Sequence, residues 1–344
     1  MSEKTDVVIT WVDGSDPQWL RKMEQYRESA DAAKDTRTRR YRDWGTLRYL
    51  LRSIDVCLPW VNHIYLVTPG MRPDWLDDGG GKLTVIDQNT LLPKECLPTF
   101  NNCAVELLLD RIPGLADRFI YMNDDMFFLT PCEETDFFRN GKPCDTIAFS
   151  AIQAVYTPDG RSVFGIAARN TMIAAKHFCK KDVFRRYWKK FLDLRNGREI
   201  IKTLCTLPFR EITGFNEMHT AYSYLKDTYR EVWETAGEDL RPTISSRFRD
   251  EFSAAHWCMR YWQICSGNVE IRRRDFSRFF DVHASEDAER AADCIQRKKA
   301  HVICVNDNID SETGFWETAG IVLKALENRF PEPCRFEVSQ QAEG

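Results

Sequence analysis

Two carboxylates and an amide follow an apolar, strand-like segment in the first half of the chain. The segment Arg118–Met122 leads into Asn123, Asp124 and Asp125. Open α/β sheets bind ligands at the carboxyl ends of their strands, and carboxylate oxygens are ligands that Mg²⁺ and Mn²⁺ accept. We therefore predict that Asp124 and Asp125 hold a divalent metal ion that neutralises a diphosphate. Asn and Asp also favour turns, because their side chains bond to nearby backbone groups, so an ordinary turn is the alternative.

A second apolar segment, near the C-terminus, ends in the same way. Val302–Val305 leads into Asn306, Asp307 and Asn308. The polar ends of two such segments can converge on one cation or one cluster of phosphates. Asp307 is then a third candidate metal ligand, and Asn306 and Asn308 are candidate contacts of a bound cofactor or donor. Two unrelated turns would produce the same pattern.

A third candidate site lies at the end of the first predicted strand, Val7–Val12. Trp11 stands in its last residues, and Asp13 and Asp16 follow with Gly14 between them. The tryptophan can stack on a nucleoside base while either carboxylate accepts hydrogen bonds from the ribose or base, and the glycine lets the backbone approach a ligand. A turn beside a buried tryptophan is the alternative.

Basic side chains that could bind phosphate groups fall into two clusters. They are Arg37, Arg39, Arg40, Arg42 and Arg48 in the first half, and Arg247 and Arg249 in the second. Arginine suits this role because its planar guanidinium can bind two phosphate oxygens at once. Most arginines on helices are simply solvated, so the clusters alone do not single out one residue.

His219 is the histidine whose surroundings best suit proton transfer. It follows Gly214–Met218, which looks like a loop that leads into a helix. Imidazole can take a proton from a hydroxyl near neutral pH, whereas a hydrogen-bonded structural histidine is the alternative. The chain has no nucleophile elbow, zinc-protease, dinucleotide-binding or phosphate-loop motif. This argues against serine hydrolases, zinc peptidases, dinucleotide oxidoreductases and phosphate-loop kinases.

The elements that must position these residues follow an α/β pattern in the first half. Four apolar segments are predicted strands: Val7–Val12, His63–Thr68, Leu83–Asp87 and Arg118–Met122. Apolar residues at helical spacing predict helices around Leu47–Ile54 and Val105–Ile112. Alternating strands and helices predict a sheet with helices packed on its faces.

The second half is predicted to be mainly helical and to cover the sheet. Its helical patterns are Phe184–Leu194, Met218–Trp233, Phe252–Ile264 and Trp316–Phe330. The chain has no low-complexity linker and no internal repeat, so we expect a single domain over residues 1–335. We expect an α/β half in residues 1–150, a helical half in residues 151–335 and a disordered tail in residues 336–344.

Composition and charge argue against several classes of protein. The 344-residue chain has a formal net charge of −4 and so lacks the basic excess of nucleic-acid-binding proteins. No apolar segment is long enough to span a bilayer, and the first residues lack a signal-peptide pattern. Twelve scattered cysteines without a C-x-x-C pair favour reduced, mostly buried thiols. We expect a cytoplasmic protein with no nucleic-acid partner.

Taken in order, four segments resemble the conserved regions of the Stealth family. This family comprises sugar-1-phosphate transferases, among them bacterial capsular polysaccharide phosphotransferases and the lysosomal-enzyme N-acetylglucosamine-1-phosphotransferase. The matching segments are Asp6–Pro17 (DVVITWVDGSDP), Arg42–Asp125 with its terminal NDD, His219–Arg249 and Ile303–Asn308 (ICVNDN).

The resemblance implies roles for individual residues. Asp125 would be a metal ligand with Asp124 beside it, His219 would be the catalytic histidine, and Arg249 would contact a phosphate. Further residues that the resemblance implies as lining the site are Asp13, Glu106 and Asn306–Asn308. The cofactor would be Mg²⁺ or Mn²⁺.

The resemblance also implies a fold and a reaction. The fold would be a Rossmann-like, GT-A-like mixed sheet with helices on both faces, completed by the helical half. A hexose or N-acetylhexosamine 1-phosphate would pass from a UDP-sugar to a hydroxyl of a glycan or oligosaccharide acceptor, with release of UMP. Residues 1–150 would bind the nucleotide-sugar, and residues 151–335 would supply acceptor-binding and catalytic groups.

Two other functions remain open at this point. A metal-dependent glycosyltransferase would use the same donor and release UDP, and a carbohydrate-binding protein would keep the fold without the chemistry. The implied setting is capsular or exopolysaccharide biosynthesis in a bacterial cytoplasm, with peripheral association with membrane-bound polysaccharide machinery.

Overall fold

The computed structural model describes residues 3–27, 34–35, 41–153, 164–309 and 311–338. The predicted phosphate-binding arginines Arg37, Arg39 and Arg40 lie outside these ranges. The strands are β1 (Thr5–Thr10), β2 (Lys34–Asp35), β3 (Ile64–Thr68), β4 (Leu83–Asp87), β5 (Arg118–Asn123), β6 (Met126–Phe128), β7 (Phe138–Arg139), β8 (Lys142–Asp145), β9 (Tyr222–Leu225), β10 (Arg249–Asp250), β11 (Glu270–Ile271), β12 (Ser277–Val282) and β13 (Val302–Asp307). The helices are α1 (Pro17–Arg27), α2 (Leu47–Cys57), α3 (Asn102–Glu106), α4 (Phe164–His177), α5 (Lys180–Phe191), α6 (Glu199–Thr206), α7 (Lys226–Ser245), α8 (Trp257–Ser266), α9 (Ser285–Arg297) and α10 (Glu312–Arg329).

The central sheet has five strands in the order β4-β3-β1-β5-β9. The first four strands are parallel, and β9 runs antiparallel at one edge. β1 and β5 lie side by side with Thr10 opposite Asn123, so their carboxyl ends meet at the same edge of the sheet. The four parallel strands are the four that the sequence predicted, with bounds shifted by at most two residues.

Side chains of β1 alternate between two hydrophobic cores. Val7 and Ile9 belong to the core that includes α2, α9 and α10, whereas Val8 belongs to the core that includes α7 and α8. This alternation is what the two-residue period of a strand requires when both faces of a sheet are buried. The predicted Rossmann-like α/β fold, a mixed sheet with helices on both faces, is confirmed.

A three-stranded sheet meets the chain directly after Asp125. Its order is β12-β13-β6, with β12 and β13 parallel and β6 antiparallel to β13. Cys304 of β13 pairs with Met126 of β6, and Val305 N–H donates to the carbonyl oxygen of Asp125 at 2.9 Å. The two apolar segments that end in Asn-Asp therefore lie close together, although they belong to different sheets.

The predicted helix Met218–Trp233 is wrong in its first half. Tyr222–Leu225 forms β9, which pairs with β5, and α7 begins only at Lys226. Aromatic residues suit a strand at the edge of a sheet, and Tyr222 and Tyr224 are both buried there. Pairing with a distant strand thus overrides a pattern that looks helical when it is considered locally.

The other predicted helices are present with altered bounds. The pattern Val105–Ile112 gives only α3, which ends at Glu106, followed by a short 3₁₀ turn at Leu109–Arg111. The patterns Phe184–Leu194, Phe252–Ile264 and Trp316–Phe330 correspond to α5, α8 and α10. The cysteines are all free thiols, and nine of the twelve are buried, as expected.

The folded chain extends past the predicted boundary at residue 335. Phe336 is buried, and the carboxylate of Glu337 is bonded to the guanidinium of Arg52 at 2.6 and 2.8 Å. The prediction of a disordered tail from residue 336 is therefore wrong for residues 336–338, and residues 339–344 lie outside the described ranges. Within the described part of the chain, no helix combines the length and the apolar character that a bilayer crossing needs.

Candidate active site

Asp125 lies between the central sheet and the three-stranded sheet. Its backbone carbonyl accepts the N–H of Val305, and its Oδ2 accepts a hydrogen bond from the thiol of Cys304 at 3.2 Å. Burial raises the pKa of Cys304 well above its ordinary value, and the charge of Asp125 raises it further. The sulfur therefore remains a neutral thiol that orients the Asp125 carboxylate.

Three side chains that can bind a metal ion meet at Asp125. The ligating atoms of Asp125, His219 and Cys304 lie within 4.8 Å of one another. Oδ1 of Asp125 is buried and has no hydrogen-bond partner within the described residues. A buried carboxylate oxygen without a partner is costly, so this atom fits a site that a cation completes.

Asp124 directly precedes Asp125 in the chain, and the charge of a further carboxylate, Asp43, acts on Asp124. Burial raises the pKa of Asp124 well above its ordinary value, and the charges of Asp43 and Asp125 raise it further. Burial also raises the pKa of Asp43, whose carboxylate accepts hydrogen bonds from Gly45 N–H and from the Trp11 indole at 2.8 and 3.0 Å. Close carboxylates repel one another, and a divalent cation with oxygen ligands would remove that repulsion.

His219 is positioned by an unusual backbone turn. Its φ is +41°, in the left-handed region that residues other than glycine rarely adopt. The hydroxyl of Tyr222 accepts the backbone N–H groups of Met218 and His219 at 3.3 and 3.0 Å, and the His219 ring packs edge-on against Phe279. Backbone strain of this kind concentrates at functional sites. It therefore supports the hypothesis that His219 has a functional role over the alternative that it is only structural.

A second polar network surrounds Glu106, behind the end of β5. The Tyr121 hydroxyl lies 3.1 Å from Glu106 Oε1 and 2.8 Å from Asn123 Oδ1. Burial raises the pKa of Glu106 to about 7, while the charge of Arg249 and the backbone N–H of His256 act in the opposite direction. The network thus connects Asn123, which directly precedes the two aspartates, with Glu106 and Arg249.

Arg249 approaches Glu106 from a separate part of the chain. It lies on β10, which pairs with β2, and it is half-buried. The preceding residue, Phe248, stacks on Phe100 with 5.1 Å between ring centroids. Phe100 N–H also donates to Arg247 O at 2.7 Å, so the segment that carries Arg249 is anchored beside the Glu106 network.

The sequence did not predict His256, which lies between the two networks. Its ring is buried against Tyr121 and Tyr222, and its Nδ1 lies 2.7 Å from the Tyr224 hydroxyl. Burial lowers the pKa of His256 well below its ordinary value, and the charge of His219 lowers it further, so the ring is neutral. In the sequence, His256 stands at the start of an apolar helix, and this context does not indicate that the residue lies near the proposed site.

Asp307 is bonded to an arginine rather than grouped with the other carboxylates. Arg42 donates to its two carboxylate oxygens at 3.0 Å each and to Ile309 O at 2.6 Å. Within the described residues, the cluster of possible metal ligands contains Asp125 and His219 but not Asp307. A metal ion bound to Asp307 would have to share its carboxylate with Arg42, which already donates to both oxygens.

The residues after β1 also make local contacts. Asp16 Oδ1 accepts Trp19 N–H at 2.6 Å at the start of α1, and Asp13 Oδ1 accepts both the N–H and the hydroxyl of Ser15. Trp11 is only 8% exposed, which leaves little ring surface for a nucleoside base. Its indole instead orients Asp43, and Asp13 lies near enough to Asp43 for its charge to raise the pKa of Asp43.

Three more candidate residues make contacts with other parts of the chain. Asn306 donates to Asp281 Oδ1 at 2.7 Å, and Asn308 N–H bonds to the end of β12. Arg48 forms an ion pair of 3.2 Å with Glu337, so it faces the C-terminal segment.

Two further residues of the proposed site, Asp43 and Cys304, were not predicted from the sequence. Asp43 was missed because it stands among the arginines that precede α2.

These features place a cluster of acidic side chains and a histidine at the carboxyl end of a central strand of an α/β fold. Two segments match family models: residues 3–31 match Stealth protein CR1, conserved region 1, and residues 40–145 match Stealth protein CR2, conserved region 2. The chain belongs to the Stealth family. The family and the enzyme class expected from the sequence are thereby confirmed.

Relatives match over nearly their whole length. The capsular polysaccharide phosphotransferase WcwK of Streptococcus pneumoniae is 32% identical, with 97% of this chain and 98% of the relative covered. The receptor polysaccharide phosphotransferase WefC of Streptococcus oralis is 33% identical, with 97% and 99% covered. The exopolysaccharide phosphotransferase cps2G of Lactiplantibacillus plantarum is 31% identical, with 96% of each covered. Among solved structures, the galactosyltransferase LgtC in complex with donor and acceptor sugar analogues aligns with a TM-score of 0.40 at 10% identity, covering 94% of this chain and 95% of that chain.

Proposed function

We propose that this chain transfers a sugar-1-phosphate from a UDP-sugar to a hydroxyl of a glycan acceptor and releases UMP. The sugar is a hexose or an N-acetylhexosamine, and the product belongs to a capsular or exopolysaccharide. One observation carries the proposal: an imidazole nitrogen of His219 lies within 4.8 Å of the Asp125 carboxylate, whose Oδ1 has no partner within the described residues. The names of the relatives support the same reaction class.

In this reaction the acceptor oxygen attacks the phosphorus that carries the sugar. The bond from the acceptor oxygen to that phosphorus forms, and the bond from the phosphorus to the bridging oxygen breaks. The electron pair leaves with the bridging oxygen on UMP, and His219 takes the proton of the acceptor hydroxyl. The sugar C1–O bond stays intact, which distinguishes this reaction from ordinary glycosyl transfer.

We assign the metal site to Asp125 and Asp124, with Asp43 adding negative charge nearby. Mg²⁺ or Mn²⁺ bound there would supply positive charge against the diphosphate of the donor. We assign Arg249 to the same diphosphate, to which it would add a guanidinium, and the effect of its charge on Glu106 supports this assignment. We further propose that the enzyme works in a bacterial cytoplasm, at the surface of membrane-bound polysaccharide machinery.

Changing His219 to Ala tests the proposed base. We expect turnover to fall by about 10²-fold or more, because positioned proton transfer contributes on the order of 10² to 10⁴ to a rate. Donor binding, measured by calorimetry with the UDP-sugar and Mn²⁺, should change little. His63→Ala is the matched control, since His63 bonds to Thr84 on the outer part of the sheet. Ordinary turnover by the His219 variant would exclude His219 as the base.

Changing Asp125 to Ala tests the metal site separately. We expect the variant to lose Mn²⁺ binding, measured by electron paramagnetic resonance, together with turnover. Asp182→Ala is the control, because Asp182 is an exposed aspartate on α5. Metal-stimulated turnover retained by the Asp125 variant would contradict this assignment.

A further inference from the structure

A pocket lined by cations opens at the opposite end of the three-stranded sheet from Asp125. Its volume is about 540 Å³, and it lies beside Thr130, Phe276 and His301, where β6 ends and β12 and β13 begin. Its cations are Arg139, Arg195, Arg272, Arg273, Lys298 and Lys299. We call this the basic pocket.

The cations of the basic pocket are only partly neutralised. Three of them form ion pairs: Arg195 with Asp193, Arg273 with Asp275, and Lys299 with Asp293. Arg139, Arg272 and Lys298 have no ion pair within the described residues. Asp136 is the other carboxylate of the lining, and its Oδ2 accepts the backbone N–H of Glu133. The lining therefore keeps an excess of positive charge.

Arg272 gives the basic pocket a buried positive charge. The residue is 4% exposed, and its Nη1 has no hydrogen-bond partner within the described residues. Its guanidinium lies over the rings of Phe137 and Phe276 at 5.5 and 4.7 Å, and burial lowers its pKa. The charge of Asp145 acts on this guanidinium, but a buried cationic N–H group without a hydrogen-bond partner is still costly, so this wall of the pocket favours a bound anion.

The basic pocket is connected to the proposed active site through both sheet and loop. Asp125 and Thr130 stand at the two ends of the β6 segment, so their Cα atoms are at most roughly 18 Å apart. Arg272 Nη2 donates to Ala221 O at 3.0 Å, two residues after His219. An extended acceptor that presents its hydroxyl to His219 can therefore reach the basic pocket with a more distant part of its chain.

We propose that the basic pocket binds a phosphate already present in the acceptor glycan. This inference rests on the proposed function, because an enzyme that adds sugar-1-phosphate units makes a polymer that carries phosphodiesters. Guanidinium groups suit such an anion, since their N–H donors match phosphate oxygens. The pocket would select acceptors that earlier rounds of transfer have already phosphorylated.

The test compares two synthetic oligosaccharides that differ only in one methyl phosphodiester, placed away from the accepting hydroxyl. Binding is measured by calorimetry without donor, on the unmodified chain and on the Arg139→Gln/Lys298→Gln double variant. Lys181→Gln/Arg185→Gln is the matched control, because these residues are exposed cations on α5. We expect about tenfold tighter binding of the phosphorylated oligosaccharide, lost in the pocket variant, kept in the control and weakened by salt.

Three results would overturn the proposal. They are equal binding of the two oligosaccharides, an unchanged preference in the Arg139→Gln/Lys298→Gln variant, and inorganic phosphate that binds as tightly as the phosphorylated oligosaccharide. Vesicles of phosphatidylglycerol form a separate arm, and pocket-dependent binding to them without a preference between the oligosaccharides would assign the pocket to a lipid. The binding measurement needs no turnover. If the enzyme released UDP instead of UMP, the proposed function would be contradicted, but the binding result would still hold.

Discussion

Glu106 is a buried carboxyl group beside the proposed site, and its surroundings shift its ionisation to near neutral pH. Burial raises its pKa from 4.5 to about 7, with Arg249 and two hydrogen-bond donors acting against that rise. Near neutral pH the group is thus divided between its neutral and charged forms. If Arg249 moved toward a bound diphosphate, its positive charge would stabilise the ionised form of Glu106 less.

Glu106→Gln should change how the stability of the protein depends on pH. The pKa is raised in the folded state, so the contribution of Glu106 to stability is fully present below about pH 4.5 and is lost as the pH rises through 7. The glutamine cannot ionise. As the pH rises from 5 to 8, the unfolding free energy of the variant should therefore increase by roughly 3 kcal/mol relative to that of the unmodified chain. Urea denaturation at several pH values measures this difference. Parallel stability curves for the two proteins would show that the pKa of Glu106 is not raised.

The central residues of the proposed site could be singled out as candidates because their chemistry is visible in short motifs. Asp125 follows a strand, and His219 and Arg249 fall in segments that resemble a family. Asp43 and His256 could not be found in this way, since their roles depend on which distant side chains surround them. Asp307 carried the motif but is bonded to Arg42, a contact across 265 positions that no local pattern reveals.

At the scale of elements, ion pairs join α2 to the C-terminal segment, and the most buried of them is the pair between Arg52 and Glu337. Arg52 is 7% exposed and donates to both carboxylate oxygens of Glu337 and to Phe330 O. This contact helps to keep the chain packed as far as residue 338, together with the buried ring of Phe336 and the hydrogen bond from Val338 N–H to Trp75 O. Local patterns placed α2 correctly but could not indicate a partner so distant in sequence.

Arg52→Gln should lower the unfolding free energy by roughly 2 kcal/mol, because it leaves the buried Glu337 carboxylate with only the more exposed Arg48 as an ion-pair partner. The double variant Arg52→Gln/Glu337→Gln should recover part of that loss. Thermal and urea denaturation measure both effects. Arg185→Gln is the control, since its ion pair with Asp182 is exposed and its removal should cost less than about 1 kcal/mol. A cost equal to that of the control would show that this contact does not hold the C-terminal segment.

At the scale of the whole molecule, the proposed site draws on distant parts of the chain. Asp125 comes from the α/β half, Cys304 from a strand near the C-terminus, and His219 and Arg249 from the segments around β9 and β10. This arrangement supports the proposal of one catalytic domain, although the folded chain extends past the predicted boundary at residue 335 to residue 338. The four parallel strands of the first half were predictable from alternating elements, whereas their order in the sheet and the placement of β9 and β13 depended on pairings between distant segments.

The nucleotide released by the enzyme tests the central claim most directly. The chain should be incubated with a panel of UDP-sugars, a glycan acceptor and Mg²⁺ or Mn²⁺, and the nucleotide product should be identified by chromatography. Transfer of a sugar-1-phosphate predicts UMP, formed in proportion to the acceptor and absent with the Asp125→Ala variant. Release of UDP in the same proportion would show that the sugar C1–O bond breaks, and it would contradict the proposed function.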